Sequence, residues 1–84
     1  LSFDVFPNPN NGNFNLKLPP YTTNKDIRIS VFNLKGELHF ETIIDNNHAD
    51  IYEIQIGDFE DGTYFISLTI NDKSYHRKII IIND

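Results

Sequence analysis

The 84 residues contain no cysteine, which leaves room for one small core and excludes both a disulfide framework and a cysteine-based metal site. Seven basic against twelve acidic residues give a formal net charge of −5, and the basic residues are scattered, so no nucleic-acid footprint is expected. The longest apolar run, residues 79–82, is too short for a membrane-spanning helix, no basic start with an apolar core marks a signal peptide, and Leu1 in place of Met fits a module from a longer parent.

Between punctuation by Gly, Asn, Asp and Pro, apolar residues recur with period two and predict a chain of short strands. Phe3 and Val5 form the first, which stops at Pro7-Asn8-Pro9 because the prolines offer no amide donor. Asn11-Gly12 then predicts the turn into a second strand carrying Phe14, Leu16 and Leu18 on one face, ended by Pro19-Pro20. Ile27, Ile29 and Val31 lead a third strand to the turn Asn33-Leu34-Lys35-Gly36. Leu38, Phe40, Thr42 and Ile44 form one face of a fourth, and Tyr52, Ile54 and Ile56 one face of a fifth. Tyr64, Ile66, Leu68 and Ile70 form one face of a sixth, and a turn at Asn71-Asp72-Lys73 opens a seventh over residues 74–82.

This spacing, with no helical periodicity, predicts one all-β domain over residues 1–84, an immunoglobulin-like antiparallel β-sandwich of about seven strands. An open barrel is the second choice. Tyr64, after Asp61-Gly62-Thr63, stands where a tyrosine corner returns its hydroxyl to a nearby backbone group, although a plain core Tyr fits the same position. The run 79–82 is apolar on both faces, as expected for a strand buried on both sides or an edge that takes a partner. Ordinary core with a sticky end reads the same way. Arg77-Lys78 before it and Asn83-Asp84 after it resemble gatekeepers against aggregation.

No constellation predicts catalysis. His39 alternates with Glu37 and Glu41, which would put all three on one face, but Leu38, Phe40 and Ile44 opposite make that the solvated face rather than a zinc site. His48 and His76 have no recognisable partners. Ser2, Ser30, Ser67 and Ser74 lack the context of an activated nucleophile. Asp58, Glu60 and Asp61 sit in a turn that solvation explains, and no spaced acidic loop predicts calcium. Phe6, Tyr21, Phe32 and Tyr75 are candidates for an exposed binding patch, although wrap-around core is the commoner fate of such residues in a small domain.

Four motifs in order resemble the type A C-terminal sorting domain of the type IX secretion system of Bacteroidota. They are Val5-Phe6-Pro7-Asn8-Pro9 followed by Gly12, Ile29-Ser30-Val31-Phe32-Asn33-Leu34-Lys35-Gly36, Ile54-Gln55-Ile56 with Phe59 and Gly62-Thr63-Tyr64, and Lys78-Ile79-Ile80-Ile81. Departures are mild: Phe6 stands for the usual Tyr, Gln55 for Asp, and Glu60-Asp61 for Pro-Ala. The resemblance implies a non-catalytic export tag without cofactor, metal or small-molecule substrate, preceded in its parent by an N-terminal cargo domain. The implied partners are the outer-membrane translocon and a sortase-like cysteine protease that cuts near or before Leu1 and attaches the cargo to anionic lipopolysaccharide. The implied destination is the cell surface or medium, through the periplasm and outer membrane of a Gram-negative bacterium. On this reading Gly62, Tyr64, Lys78, Ile80 and Ile82 of the terminal hairpin form the recognition element. Pro7, Asn8, Pro9, Gly12 and Gly36 are structural, with the proline motif marking the junction between cargo and tag. Weak self-association through the last strand is a further expectation from edge physics. An immunoglobulin-like carbohydrate-binding or adhesion module is the alternative, and a plain spacer a third.

Overall fold

A computed structural model describes residues 3–19, 22, 24–57 and 59–83. Leu1, Ser2, Pro20, Tyr21, Asp58 and Asp84, each used above, lie outside the described residues. The predicted strands all form: β1 (Asp4–Phe6), β2 (Asn13–Lys17), β3 (Ile27–Asn33), β4 (Leu38–Ile44), β5 (Ile51–Gln55), β6 (Gly62–Ile70) and β7 (Lys73–Ile81). They pair antiparallel in two sheets, ordered β1-β2-β5 and β4-β3-β6-β7, which is a sandwich rather than a barrel.

Alternation decides which residues meet between the sheets. Phe14, Leu16 and Ile54 from the smaller sheet face Ile29, Val31, Ile66, Leu68, Ile79 and Ile81 from the larger, all buried. Each fully buried aliphatic side chain contributes about 1.5–3 kcal/mol of transfer free energy. The sequence has no cysteine to form a disulfide, and among the described residues no three His, Asp or Glu side chains gather as a ligand set.

Three expectations are corrected by register. In β4, Val31 pairs with Phe40 but Phe32 pairs with Leu38, so His39 is the extra residue of a β-bulge. Phe40, Thr42 and Ile44 keep the inner face, whereas Leu38 is carried to the outer face beside Phe32 and is 52% exposed. The bulge also parts Glu41 from the other two groups expected to share its face, while Glu37 and His39 stay together at Asn33, whose Nδ2 lies 3.1 Å from His39 Nε2 as well as within reach of Glu37. Glu41 accepts a hydrogen bond from the Ser30 hydroxyl at 3.2 Å, Glu37 accepts one from Asn33 Nδ2 at 2.7 Å, and the His39 ring lies against Phe59 and Tyr64. At the last hairpin, Ile70 pairs with Lys73, so Asn71-Asp72 alone makes the turn and Lys73 belongs to the strand. Asn71 supplies the positive φ of 56° that this tight reversal needs.

Strand β7 is an edge strand with two different faces, not a strand buried on both sides. Ile79 and Ile81 are in the core, while Ile80 and Ile82 are 36% and 48% exposed.

Candidate recognition surface

The proline motif ends β1 as its chemistry requires, since Pro7 and Pro9 cannot donate to a ladder. Both Phe6-Pro7 and Asn8-Pro9 bonds are cis. The reversal into β2 then takes the whole of residues 7–12, because Phe6 pairs with Asn15 and not with a residue next to Gly12. Freed from β2, the segment lies along the outer edge of β7. The Asn10 N–H donates to the Ile80 carbonyl at 3.0 Å, and the Asn10 carbonyl accepts from the Ile82 N–H at 2.8 Å. The Asn8 side-chain amide continues this pairing as a peptide group would. Its Nδ2 donates to the Lys78 carbonyl at 3.1 Å, and its Oδ1 accepts from the Ile80 N–H at 2.9 Å.

The rest of the motif holds that segment in place. Asn10 is 7% exposed, with Nδ2 donating to the Pro7 carbonyl at 3.1 Å and Oδ1 accepting from the Gly12 N–H at 2.9 Å. Gly12 has φ +98° and stands so close to β5 that an added Cβ would sit 3.0 Å from the Gly57 carbonyl oxygen. Its own carbonyl accepts from the Ile56 N–H at 2.9 Å. Near Asn8, Arg77 Nε donates to the Phe3 carbonyl at 2.8 Å and a guanidinium nitrogen lies 3.6 Å from Asp4.

At the start of β6, Tyr64 forms the expected corner. Its hydroxyl donates to the Glu60 carbonyl at 2.7 Å, its ring is 5% exposed, and ring centres of Phe59 and His39 lie 5.1 and 5.8 Å away. Burial above all, then the Glu60 and Asp61 carboxylates, push the phenol pKa up. Asn83 ties the loop before β6 to the end of the chain. Its N–H and Nδ2 both donate to Asp61 Oδ1, and Nδ2 also reaches the Phe59 carbonyl. The central turn is built in the same manner. Asn33 Oδ1 accepts from the N–H groups of Lys35 and Glu37, both at 2.9 Å, and Gly36 takes φ +84°.

Residues 4–82 match the family described as the secretion system C-terminal sorting domain. The chain belongs to this family. It is also 32% identical over 82 residues to a protein named ulvan lyase NLR42 from Nonlabens ulvanivorans. That match covers 98% of this chain and spans only 14% of the relative's length. The sorting domain is a non-catalytic signal for type IX secretion, carried at the C-terminus of a larger cargo protein, which it directs to the type IX machinery for secretion or surface display.

Within the sorting domain, the residues expected to act in recognition fall in two places. Lys78 and Ile80 lie on the outer face of the larger sheet, where register sets Leu38, Phe32, Phe65 and Lys78 side by side across all four strands and Ile80 beside Thr63. Ile82 follows directly, and Phe65 is 39% exposed. Tyr64 is instead under the sheet in the core, and Gly62 opens β6 behind it. Of the candidate aromatics, Phe6 is 41% exposed while Phe32 and Tyr75 are half-buried.

Sequence reasoning missed Asn47, which it placed in a polar turn. Asn47 is 1% exposed and joins two loops: Nδ2 donates to Thr22 Oγ1 at 3.1 Å, and Oδ1 accepts from the Tyr52 hydroxyl at 2.5 Å and the Ala49 N–H at 3.0 Å. One Asn in a run of polar residues gives no local signal of burial. It also missed the docking of Asn8 and Asn10, for which a hydrogen-bonding side chain between two donorless prolines was the available clue.

Proposed function

We propose that the translocon reads this sorting domain through the outer face of its terminal hairpin, residues 62–82. Lys78, Ile80 and Ile82 make the contacts, while Gly62 and Tyr64 hold the hairpin's shape from beneath. A sortase-like cysteine protease then cuts on the cargo side of the domain and joins the cargo to anionic lipopolysaccharide. The protease supplies the nucleophile, and the domain supplies a folded surface and a junction held by the proline motif. One observation carries this reading: β7 puts Ile79 and Ile81 into the core and leaves Ile80 and Ile82 exposed beside Lys78. A partner that desolvates these side chains gains apolar area without disturbing the fold.

The test appends residues 1–84 to a fluorescent reporter with an inner-membrane signal peptide, in a type IX-competent host and a translocon-defective sibling. The reporter is expected on the surface or in the medium of the competent strain alone, with loss of the domain's mass from the surface-bound product. Ile80→Asp combined with Ile82→Asp is expected to leave the reporter in the periplasm while the circular dichroism of the isolated domain stays β-rich. Full export of that folded variant overturns the recognition surface. Reporter that reaches the surface with the domain still attached overturns the processing step.

A further inference from the structure

An edge strand presents its outward N–H and C=O groups to any other strand, and the hazard grows when both of its faces are apolar. In β7 these conditions coincide at the end of the strand. Ile80 lies opposite Thr63 and points its backbone groups away from β6, so the Lys78 C=O, the Ile80 N–H and C=O, and the Ile82 N–H all face outward. Ile79 and Ile81 flank this row on the core side, and Ile80 and Ile82 on the outer side. All four outward groups are satisfied from within the chain, two by the Asn8 side chain and two by the Asn10 backbone.

We propose that the outward edge of β7 over residues 78–82 is a strand-acceptor site held closed by segment 8–10, and that releasing the segment lets this edge pair with the same edge of a second copy. The pattern of the strand selects that occupant. With two copies antiparallel about Ile80, Ile80 faces its counterpart, Lys78 faces Ile82, and no cation stands opposite another. The apolar residues on each face then form one continuous stripe, which is the self-complementary surface a two-fold interface requires. The cap has one accessible part: Asn8 is exposed and its side chain supplies two of the four hydrogen bonds, while the buried Asn10 supplies the other two. This gating is independent of which surface the translocon reads.

Amide exchange and sedimentation of the 84-residue chain test the proposal. In the unmodified chain the Ile80 and Ile82 amides are expected to be protected although they point away from the sheet. Asn8→Ala is expected to speed exchange at Ile80 at least about tenfold, while the Ile79 amide, paired to β6, is unchanged because the sandwich stays folded. Asn8→Asp provides a second variant. It keeps an acceptor for the Ile80 N–H but turns an oxygen toward the Lys78 carbonyl, so the Ile82 amide is expected to lose protection with it. Both variants are expected to sediment as concentration-dependent dimers, and adding Ile80→Pro, which removes an outward donor and no bond to β6, is expected to restore the monomer. Ile80 exchange as fast in the unmodified chain as in Asn8→Ala overturns the cap. Variants that stay monomeric at millimolar concentration, or dimers that survive Ile80→Pro, overturn the second copy as occupant.

Discussion

At Tyr64 a single hydroxyl closes the loop that leads into β6, and the ring beneath it is core. Tyr64→Phe keeps the ring and deletes the donor, so the unfolding free energy is expected to fall by about 1 kcal/mol. The same residue makes stability depend on alkaline pH. Burial first, and the Glu60 and Asp61 carboxylates second, raise its pKa in the folded chain, so the folded state holds the phenolic proton more tightly than the unfolded state does. That contribution is complete below the unfolded value of about 10 and is lost as pH rises through the higher folded value. Urea unfolding of both proteins across that range checks the sign. The unmodified chain is expected to lose stability more steeply than Tyr64→Phe, and parallel curves would contradict it. The corner was legible in Asp61-Gly62-Thr63-Tyr64 because it is local, with donor and acceptor four positions apart.

Elements were legible wherever alternation was uninterrupted, as in β2, β3 and β6. In β4 it misled, because one extra residue at His39 inverts the facing of everything before it, and apolar Leu38 reads equally well inside or outside. Connections were least legible. The β2–β3 and β4–β5 loops are joined at Asn47, where Thr22, Ala49 and Tyr52 converge on one amide, and Asn47 and Lys25 pair through their backbones. Asn47→Ala takes the acceptor from the half-buried Tyr52 hydroxyl and from the Ala49 N–H, and takes the donor from Thr22, whose buried hydroxyl then keeps only the Pro19 carbonyl. A loss of about 2–4 kcal/mol is expected. The urea midpoint measures it, and a change below about 0.5 kcal/mol, the scale of an ordinary surface substitution, would remove Asn47 from the framework.

Across the whole molecule, the segment by which the chain enters the sandwich lies along the strand by which it leaves. The end of β7 therefore serves the core through Ile79 and Ile81, the outer face through Ile80, and the entering segment through its backbone. Removing residues 78–84 takes two buried isoleucines, each costing about 2–5 kcal/mol even when only truncated to Ala, and takes the partners of Asn8 and Asn10 as well. The shortened chain is expected to lose cooperative unfolding and dispersed amide resonances, and a sharp thermal transition would refute this. Its failure to export would then report unfolding, whereas the paired charges at Ile80 and Ile82 test recognition on an intact sandwich.

The sequence by itself determined the strands, the sandwich, the family and the stop at Pro7, since each rests on period, punctuation or short motifs that act within a few residues. Tertiary structure alone decided where the stopped chain goes. Asn8 and Asn10 meet Lys78, Ile80 and Ile82 across a separation of about seventy positions, and Thr22 meets Asn47 across twenty-five. An amide side chain hydrogen-bonds equally well to water and to a strand edge, so its composition carries no record of its partner, and only the packing of the two sheets brings that partner within reach.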